Sequence, residues 1–173
     1  HRILSGLLPG PDGYAVLPPG RVTLTRDEFE RAFAPEHSKA RRSLIEDLDE
    51  YAFQQKRCGL IVLSYWIGGS FVSDKSAPND IDVTSIISGE ASLPSLNYTD
   101  WTNPRQRWQH EVHPDVGRKL RVDGYAMVKV PDDHPGLDHY YELRGYWDDW
   151  WQRCRATGAA ESRGYVEVRD WNG

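Results

Sequence analysis

Residues 60–83 constrain this chain more than any other stretch. Leu60-Ile61-Val62-Leu63-Ser64-Tyr65-Trp66 is an apolar run long enough for one buried strand. The chain then meets Gly68, Gly69 and Ser70, crosses a short polar loop with Pro78, and re-enters an extended pattern carrying Asp80 and Asp82. Glycines let the backbone approach a bulky anion closely, and Ser70 adds a hydroxyl donor. On a strand, Asp80 and Asp82 project to one face, with backbone positions roughly 6–7 Å apart. Two carboxylates so placed can bracket a hard cation, and Mg²⁺ is usually held by one or two carboxylates plus substrate phosphates.

The flanking segments set the architecture. Residues 1–23 contain Pro9, Pro11, Pro18, Pro19 and four glycines, and read as an extended N-terminal arm. Thr25 and Glu28 form a capping box, with Leu24 and Phe29 placed as a hydrophobic staple, so a helix is expected from Thr25 to just before Pro35. A longer helix is expected from Ser38 to Lys56. Leu44, Ile45, Leu48, Tyr51 and Ala52 form its buried stripe, and Gly59 is its stop. Arg41, Arg42, Glu46, Asp47 and Glu50 fall largely outside that stripe and read as solvated surface, with phosphate contact by the two arginines as the alternative.

Farther on, Asp100 to Val112 reads as a helix carrying Trp101, Arg105, Arg107 and Trp108, which would pack inward or stack on a base. His110 and His113 have metal-ligand spacing, but Pro114 disfavours helix there, and zinc is not expected. Lys119 to Val130 alternates: Leu120, Val122, Gly124, Ala126 and Val128 on one face, Asp123, Tyr125 and Met127 on the other. Asp123 lies mid-strand, where a carboxylate is disfavoured unless the strand is an edge facing water or the residue has work to do. Trp147, Trp150, Trp151 and Cys154 then mark a helical stripe read as core, and residues 164–170 a last strand. These elements predict an α/β (α+β) fold, a small mixed sheet with packed helices, in one domain over residues 24–173.

Composition excludes several classes. With 39% hydrophobic residues and seven tryptophans, the chain is not disordered. A net charge of −5 argues against coating nucleic acid by electrostatics alone, though a local basic patch could still bind RNA. No apolar run approaches the roughly 20 residues of a membrane span, and no signal peptide is expected. Two cysteines, Cys58 and Cys154, suit a reducing cytoplasm better than a disulfide framework, with one bridge still open. The chain begins at His1, so further N-terminal sequence is expected before it.

Gly69-Ser70 followed by Asp80-Ile81-Asp82 resembles the signature of the nucleotidyltransferase superfamily, the fold of DNA polymerase β and the minimal nucleotidyltransferases. That signature is a hydrophobic strand, Gly-Ser, about ten residues, then Asp-x-Asp, with a third carboxylate on a later strand. The resemblance is tight over residues 60–87. Elsewhere the chain is similar to short bacterial and phage nucleotidyltransferase-like proteins. Where minimal members often carry Ala-Arg-Gly after the Gly-Ser, this chain has Val72-Ser73-Asp74, and Lys75 is the cation there.

The resemblance implies Asp80, Asp82 and Asp123 as catalytic metal ligands, Asp123 falling 41 positions after Asp82. It implies Gly68, Gly69, Ser70 and Lys75 around the phosphates of an NTP. An all-oxygen set favours Mg²⁺ or Mn²⁺. The expected reaction is transfer of an NMP to a hydroxyl of RNA or tRNA, a protein or a small molecule, in a toxin–antitoxin or phage-defence setting. A homodimer or protein partner would complete so small a site. Two other readings stand beside it: an inactive fold kept as a partner-binding module, and an accidental match in which the glycines only make a tight turn.

Overall fold

Short-range signals decide where the helices begin and end. The computed structural model describes residues 6–11, 13–92, 119–154 and 162–173. Helix α1 (Arg26–Phe33) opens on the expected capping box: the Thr25 hydroxyl accepts from the Glu28 amide at 3.2 Å, and the Glu28 carboxylate accepts from the Thr25 amide at 3.0 Å. It buries Phe29, Ala32 and Phe33, one turn apart on one face. Helix α2 (Lys39–Arg57) is capped by Ser38 and closed at Gly59, whose φ of 81° only glycine adopts at little cost. The amides of Gly59 and Leu60 then return to the carbonyls of Lys56 and Gln55, satisfying the last turn.

The strands are β1 (Leu8–Pro9), β2 (Ala15–Val16), β3 (Gly20–Leu24), β4 (Val62–Gly68), β5 (Ile81–Ser88), β6 (Val122–Lys129) and β7 (Gly164–Val168). Helix α3 (Leu137–Trp151) lies between β6 and β7 in sequence. β1 and β2 form a small antiparallel pair. The main sheet is mixed, in the order β3-β7-β4-β5-β6, with parallel pairing at β3–β7 and β5–β6 and antiparallel pairing between. The expected α+β fold, a small mixed sheet with packed helices, is therefore what forms.

Two cores sandwich this sheet, and side-chain alternation assigns them. Tyr65 and Ile67 of β4 and Val166 and Val168 of β7 join α1 and α2 in one core. Their neighbours Trp66 and Tyr165 join Tyr140, Leu143, Trp147 and Trp151 of α3 in the other. A strand covered on both faces needs apolar residues on both, so β4 reads as a continuous run rather than an alternating one.

Several expectations are corrected. The segment read as an extended arm over residues 1–23 is not separate from the domain: its end joins Leu24 in Gly20–Leu24, an edge strand paired with β7 in parallel register. Arg41 and Asp47 of α2 are not solvated surface; they are 7% and 0% exposed. Trp150 leaves the apolar stripe of α3 and is 40% exposed, while Trp147, Trp151 and Cys154 are buried. The expected 100–112 helix, with His110 and His113, lies outside the described residues. Cys58 is exposed and Cys154 buried, and no disulfide joins them. Among the described residues no helix is long and apolar enough to cross a membrane.

One carboxylate inside the sheet ties β3, β4 and β7 together. Glu167 accepts hydrogen bonds from Trp66 Nε1 at 2.9 Å, Ser64 Oγ at 3.1 Å, Thr23 Oγ1 at 3.3 Å and Arg169 Nε at 3.2 Å. Burial raises its pKa, but the bonds from Trp66 and Ser64 and the charges of Arg169 and Arg21 outweigh that and hold it below 4.5. A group depressed in the folded state stabilises above its unfolded pKa and loses that contribution as pH falls through the folded value. Stability should therefore drop in acid below about pH 4.5, and Glu167→Gln should flatten that limb. Urea unfolding across pH 3 to 7 checks this; parallel acid limbs in the two proteins would exclude Glu167 as the cause.

Candidate active site

The candidate site forms where β4 ends and β5 begins. After Gly68 the chain turns through a short 3₁₀ segment, Gly69–Val72, whose Phe71 and Val72 are buried in the α1/α2 core. Those two anchors leave Gly69 and Ser70 half-exposed at the head of the turn. Gly69 has φ of 70°, the left-handed region that L side chains rarely adopt. A Cβ there would lie 2.1 Å from Asp82 Oδ2, so the backbone of the turn sits directly against the Asp82 carboxylate.

The sheet register supplies the acids. Asp82 pairs with Gly68 on one side and with Asp123 on the other. Asp82 and Asp123 are thus direct neighbours on adjacent parallel strands, both half-buried. Asp80, also half-buried, lies two residues before Asp82, next to Ile81, whose amide donates to the Arg121 carbonyl at 3.0 Å. The side chain of Tyr125, two residues along β6, reaches back to donate from its hydroxyl to Asp123 Oδ2 at 3.4 Å.

The charge of Asp123 is felt beyond its own neighbours. Burial pushes the Tyr51 phenol of α2 well up; a hydrogen bond to Ser85 opposes this, and the Asp123 carboxylate adds to it.

The two glycines have different reasons to be glycine. A Cβ on Gly68 would strike the Trp151 indole at 2.5 Å, so its missing side chain makes room for α3. Trp151 is fixed there by donating to Thr84 Oγ1 at 3.0 Å. At Gly69 the missing side chain makes room for the Asp82 carboxylate itself. Lys75 has its ammonium 5.9 Å from the centre of the Tyr14 ring, and its carbonyl is bound by Arg41.

Two residues that the sequence reading had not placed at this turn hold it. Arg41 donates to the carbonyls of Phe33, Phe71, Ser73 and Lys75 at 2.9, 2.6, 2.8 and 2.6 Å. Burial pushes its guanidinium below the ordinary value, partly opposed by nearby Asp74. Arg163, 5% exposed, donates from Nη2 to the Gly69 carbonyl at 2.6 Å. Its buried Nε has no hydrogen-bond partner among the described residues, a deficit that costs about 1–3 kcal/mol in a protein interior.

The donor set fits a hard divalent cation of the Mg²⁺ type. Carboxylates supply it, with the Asp82 carboxylate seated against the Gly69 backbone where any Cβ would collide with it. Among the described residues no group of three or more His, Cys, Asp or Glu side chains is gathered as a metal cage. The direct neighbours are the pair Asp82 and Asp123, and one or two carboxylates are what Mg²⁺ takes when phosphates complete its shell.

A family profile matches residues 9–169, nearly the whole chain. The chain belongs to the DUF6932 family. It is a family of unknown function. No curated protein and no solved structure matches this DUF6932 chain. The match runs from Pro9 at the end of β1 through β7, so the turn at Gly69 and all three aspartates lie inside the part that defines DUF6932 membership.

Proposed function

We propose that this protein is a metal-dependent nucleotidyltransferase, moving an NMP from an NTP onto a hydroxyl. The observation that carries the reading is the register: Asp82 beside Asp123 across parallel strands, with the Gly69-Ser70 turn against Asp82. In the reaction the acceptor oxygen bonds to the α-phosphorus, the bond to pyrophosphate breaks, and the hydroxyl proton is released. Bound Mg²⁺ or Mn²⁺ would be held by the Asp82–Asp123 pair, with Asp80 as the third acid that the resemblance implies, and would supply charge neutralisation at the phosphates and lower the acceptor's pKa.

The chain's own groups do the rest. Gly69 lets the phosphate chain approach the backbone, and the Ser70 hydroxyl donates to it. Buried Phe71 and Val72 keep the turn from moving away, and Trp151 with Tyr125 forms an aromatic boundary, their rings 6.1 Å apart. Acceptors compatible with this reading are RNA or tRNA, a protein side chain or a small molecule. The two cysteines suit a cytoplasmic activity, and the resemblance implies a toxin–antitoxin or phage-defence setting, with a second copy or a partner completing the acceptor side.

The test is pyrophosphate release from each of the four NTPs with Mg²⁺, and mass-spectrometric identification of what becomes labelled in cell extract. Mg²⁺-dependent release supports the reading; none from any NTP, with or without extract, overturns it. A second reading, an inactive partner-binding module, is favoured by the exposed ring stack of Tyr146 and Trp150 on α3, at 6.4 Å and 6°. The same assay separates the two.

Ser70→Ala gives a milder, sharper check. A hydroxyl contact to a charged phosphate is worth on the order of 1.5–3 kcal/mol, so nucleotide use should weaken roughly ten- to a hundredfold. Metal affinity without nucleotide should stay unchanged. Calorimetry with Mg²⁺ alone, then with NTP, measures both; a parallel loss of both would move Ser70 to the metal.

A further inference from the structure

Buried guanidinium groups are usually matched by carboxylates, because an unpaired buried charge is costly. Among the described residues, two arginines at the Gly69 turn make their hydrogen bonds to backbone carbonyls instead. Arg41 is capped by four backbone carbonyls and lies with its guanidinium 5.1 Å from the centre of the Phe71 ring. Among the described residues the charge of Asp74, which accepts the Ala15 amide, acts on it. Arg163 is capped by the Gly69 carbonyl and keeps a buried Nε without a partner among the described residues.

Both bind the same loop, and they come from distant parts of the chain. Arg163 takes its first carbonyl, at Gly69, while Arg41 takes those at Phe71, Ser73 and Lys75. Arg41 stands on α2, and Arg163 stands just before β7, where its amide donates to the Gln152 carbonyl at 2.9 Å. Carbonyls turned toward buried cations cannot face a ligand at the turn. The negative ends of these peptide dipoles are therefore withdrawn from Gly69 and Ser70, and two positive charges lie behind them.

We propose that Arg41 and Arg163 are the positioning pair of this site: by holding the carbonyls of the Gly69–Lys75 loop they make it a cradle for the phosphate chain of a nucleoside triphosphate. Their charge gives the loop the positive potential that its own sequence lacks. This rests on the nucleotide reading above and supplies what that reading leaves open, since Lys75 lies near the Tyr14 ring. The positive potential behind the loop and the carboxylates of Asp82 and Asp123 in front of it would divide the work. One side meets phosphate oxygens, the other meets cations.

The experiment measures two affinities on the full chain: inorganic pyrophosphate without metal, and Mn²⁺ without phosphate. Arg163→Gln keeps an amide donor for the Gly69 carbonyl and removes the charge; Arg163→Lys keeps the charge. Expected is a loss of about tenfold or more in pyrophosphate affinity for Arg163→Gln, largely restored in Arg163→Lys, with Mn²⁺ binding unchanged or tighter. If Arg163→Gln does not fold, Arg41→Lys replaces it. That variant retains charge but loses the four-carbonyl grip, and should weaken pyrophosphate while leaving Mn²⁺ binding intact.

Pyrophosphate affinity unchanged in every folded variant overturns the proposal, and the arginines then only brace the loop through its carbonyls. Loss of pyrophosphate and Mn²⁺ together with a lowered melting temperature also overturns it, because the role is then general support. Wild type that binds Mn²⁺ but not pyrophosphate removes the cradle and leaves the metal reading standing. Wild type that binds pyrophosphate through these arginines but takes no Mn²⁺ keeps the cradle and removes the nucleotidyltransferase reading.

Discussion

Asp82→Asn is expected to abolish divalent-metal binding while leaving the protein folded. Asparagine has nearly the same shape, so packing against Gly69 and the pairing with Gly68 and Asp123 survive. What goes is one negative charge. At about 4 Å and an effective dielectric near 20, a unit charge pair is worth roughly 4 kcal/mol, and a divalent ion feels more. Affinity should therefore fall by more than about a hundredfold. Like charges directly opposite on neighbouring strands repel, at roughly 0.2–1 kcal/mol. Thermal stability without metal should accordingly hold or rise slightly. Mn²⁺ titration and a melting curve decide the matter together. An unfolded Asp82→Asn would make the carboxylate structural and remove the main support for the enzyme reading.

Gly69→Val should be the most damaging single change at the turn. Two independent penalties meet there. The φ of 70° is unfavourable for any L residue and worst for a β-branched one, costing about 1–3 kcal/mol. The new Cβ would also start 2.1 Å from Asp82 Oδ2, forcing the carboxylate or the turn to shift. Overpacking of this kind costs typically 1–3 kcal/mol more. A total of about 2–6 kcal/mol should lower the melting temperature by roughly 4–24 °C in a chain of this size. Nucleotide binding should be lost, because the turn and the Asp82 carboxylate are both displaced.

The smaller Gly69→Ala allows the two penalties to be separated. In an Asp82→Ala background the 2.1 Å clash with Oδ2 disappears, leaving the backbone strain and a tight 3.3 Å approach to the remaining Cβ of residue 82. The cost of Gly69→Ala should then shrink to about 1–2 kcal/mol. An equal cost in both backgrounds would show that Asp82 does not press on the turn.

The sequence by itself determined the parts of this protein whose causes are local. The Thr25–Glu28 box, the Ser38 cap and the Gly59 stop are contacts between residues a few positions apart, and they place α1 and α2 within a residue of expectation. The apolar run at 60–66 likewise reports β4, a strand covered on both faces, and the alternation over 119–130 reports β6, because pleating repeats every two residues. Even the shared face of Asp123 and Tyr125 follows from that period.

Only the tertiary structure decided which distant pieces meet. That Gly20–Leu24 leaves the arm to pair with β7 depends on an edge offered 144 residues later, and nothing in its proline-rich surroundings announces it. Trp151 turns inward over Gly68 while Trp150 turns out, a choice made by where α3 lands on the sheet. Arg41 and Arg163 look in sequence like ordinary surface charges. Burial of a charge depends on what covers it, and their partners are backbone carbonyls, which every residue has and no pattern marks. Arg41 reaches Phe71 across 30 residues and Arg163 reaches Gly69 across 94. The acids and the glycine turn were legible because their chemistry lies in side-chain type and spacing; the cations behind the turn were not, because their role exists only once the chain has closed around them.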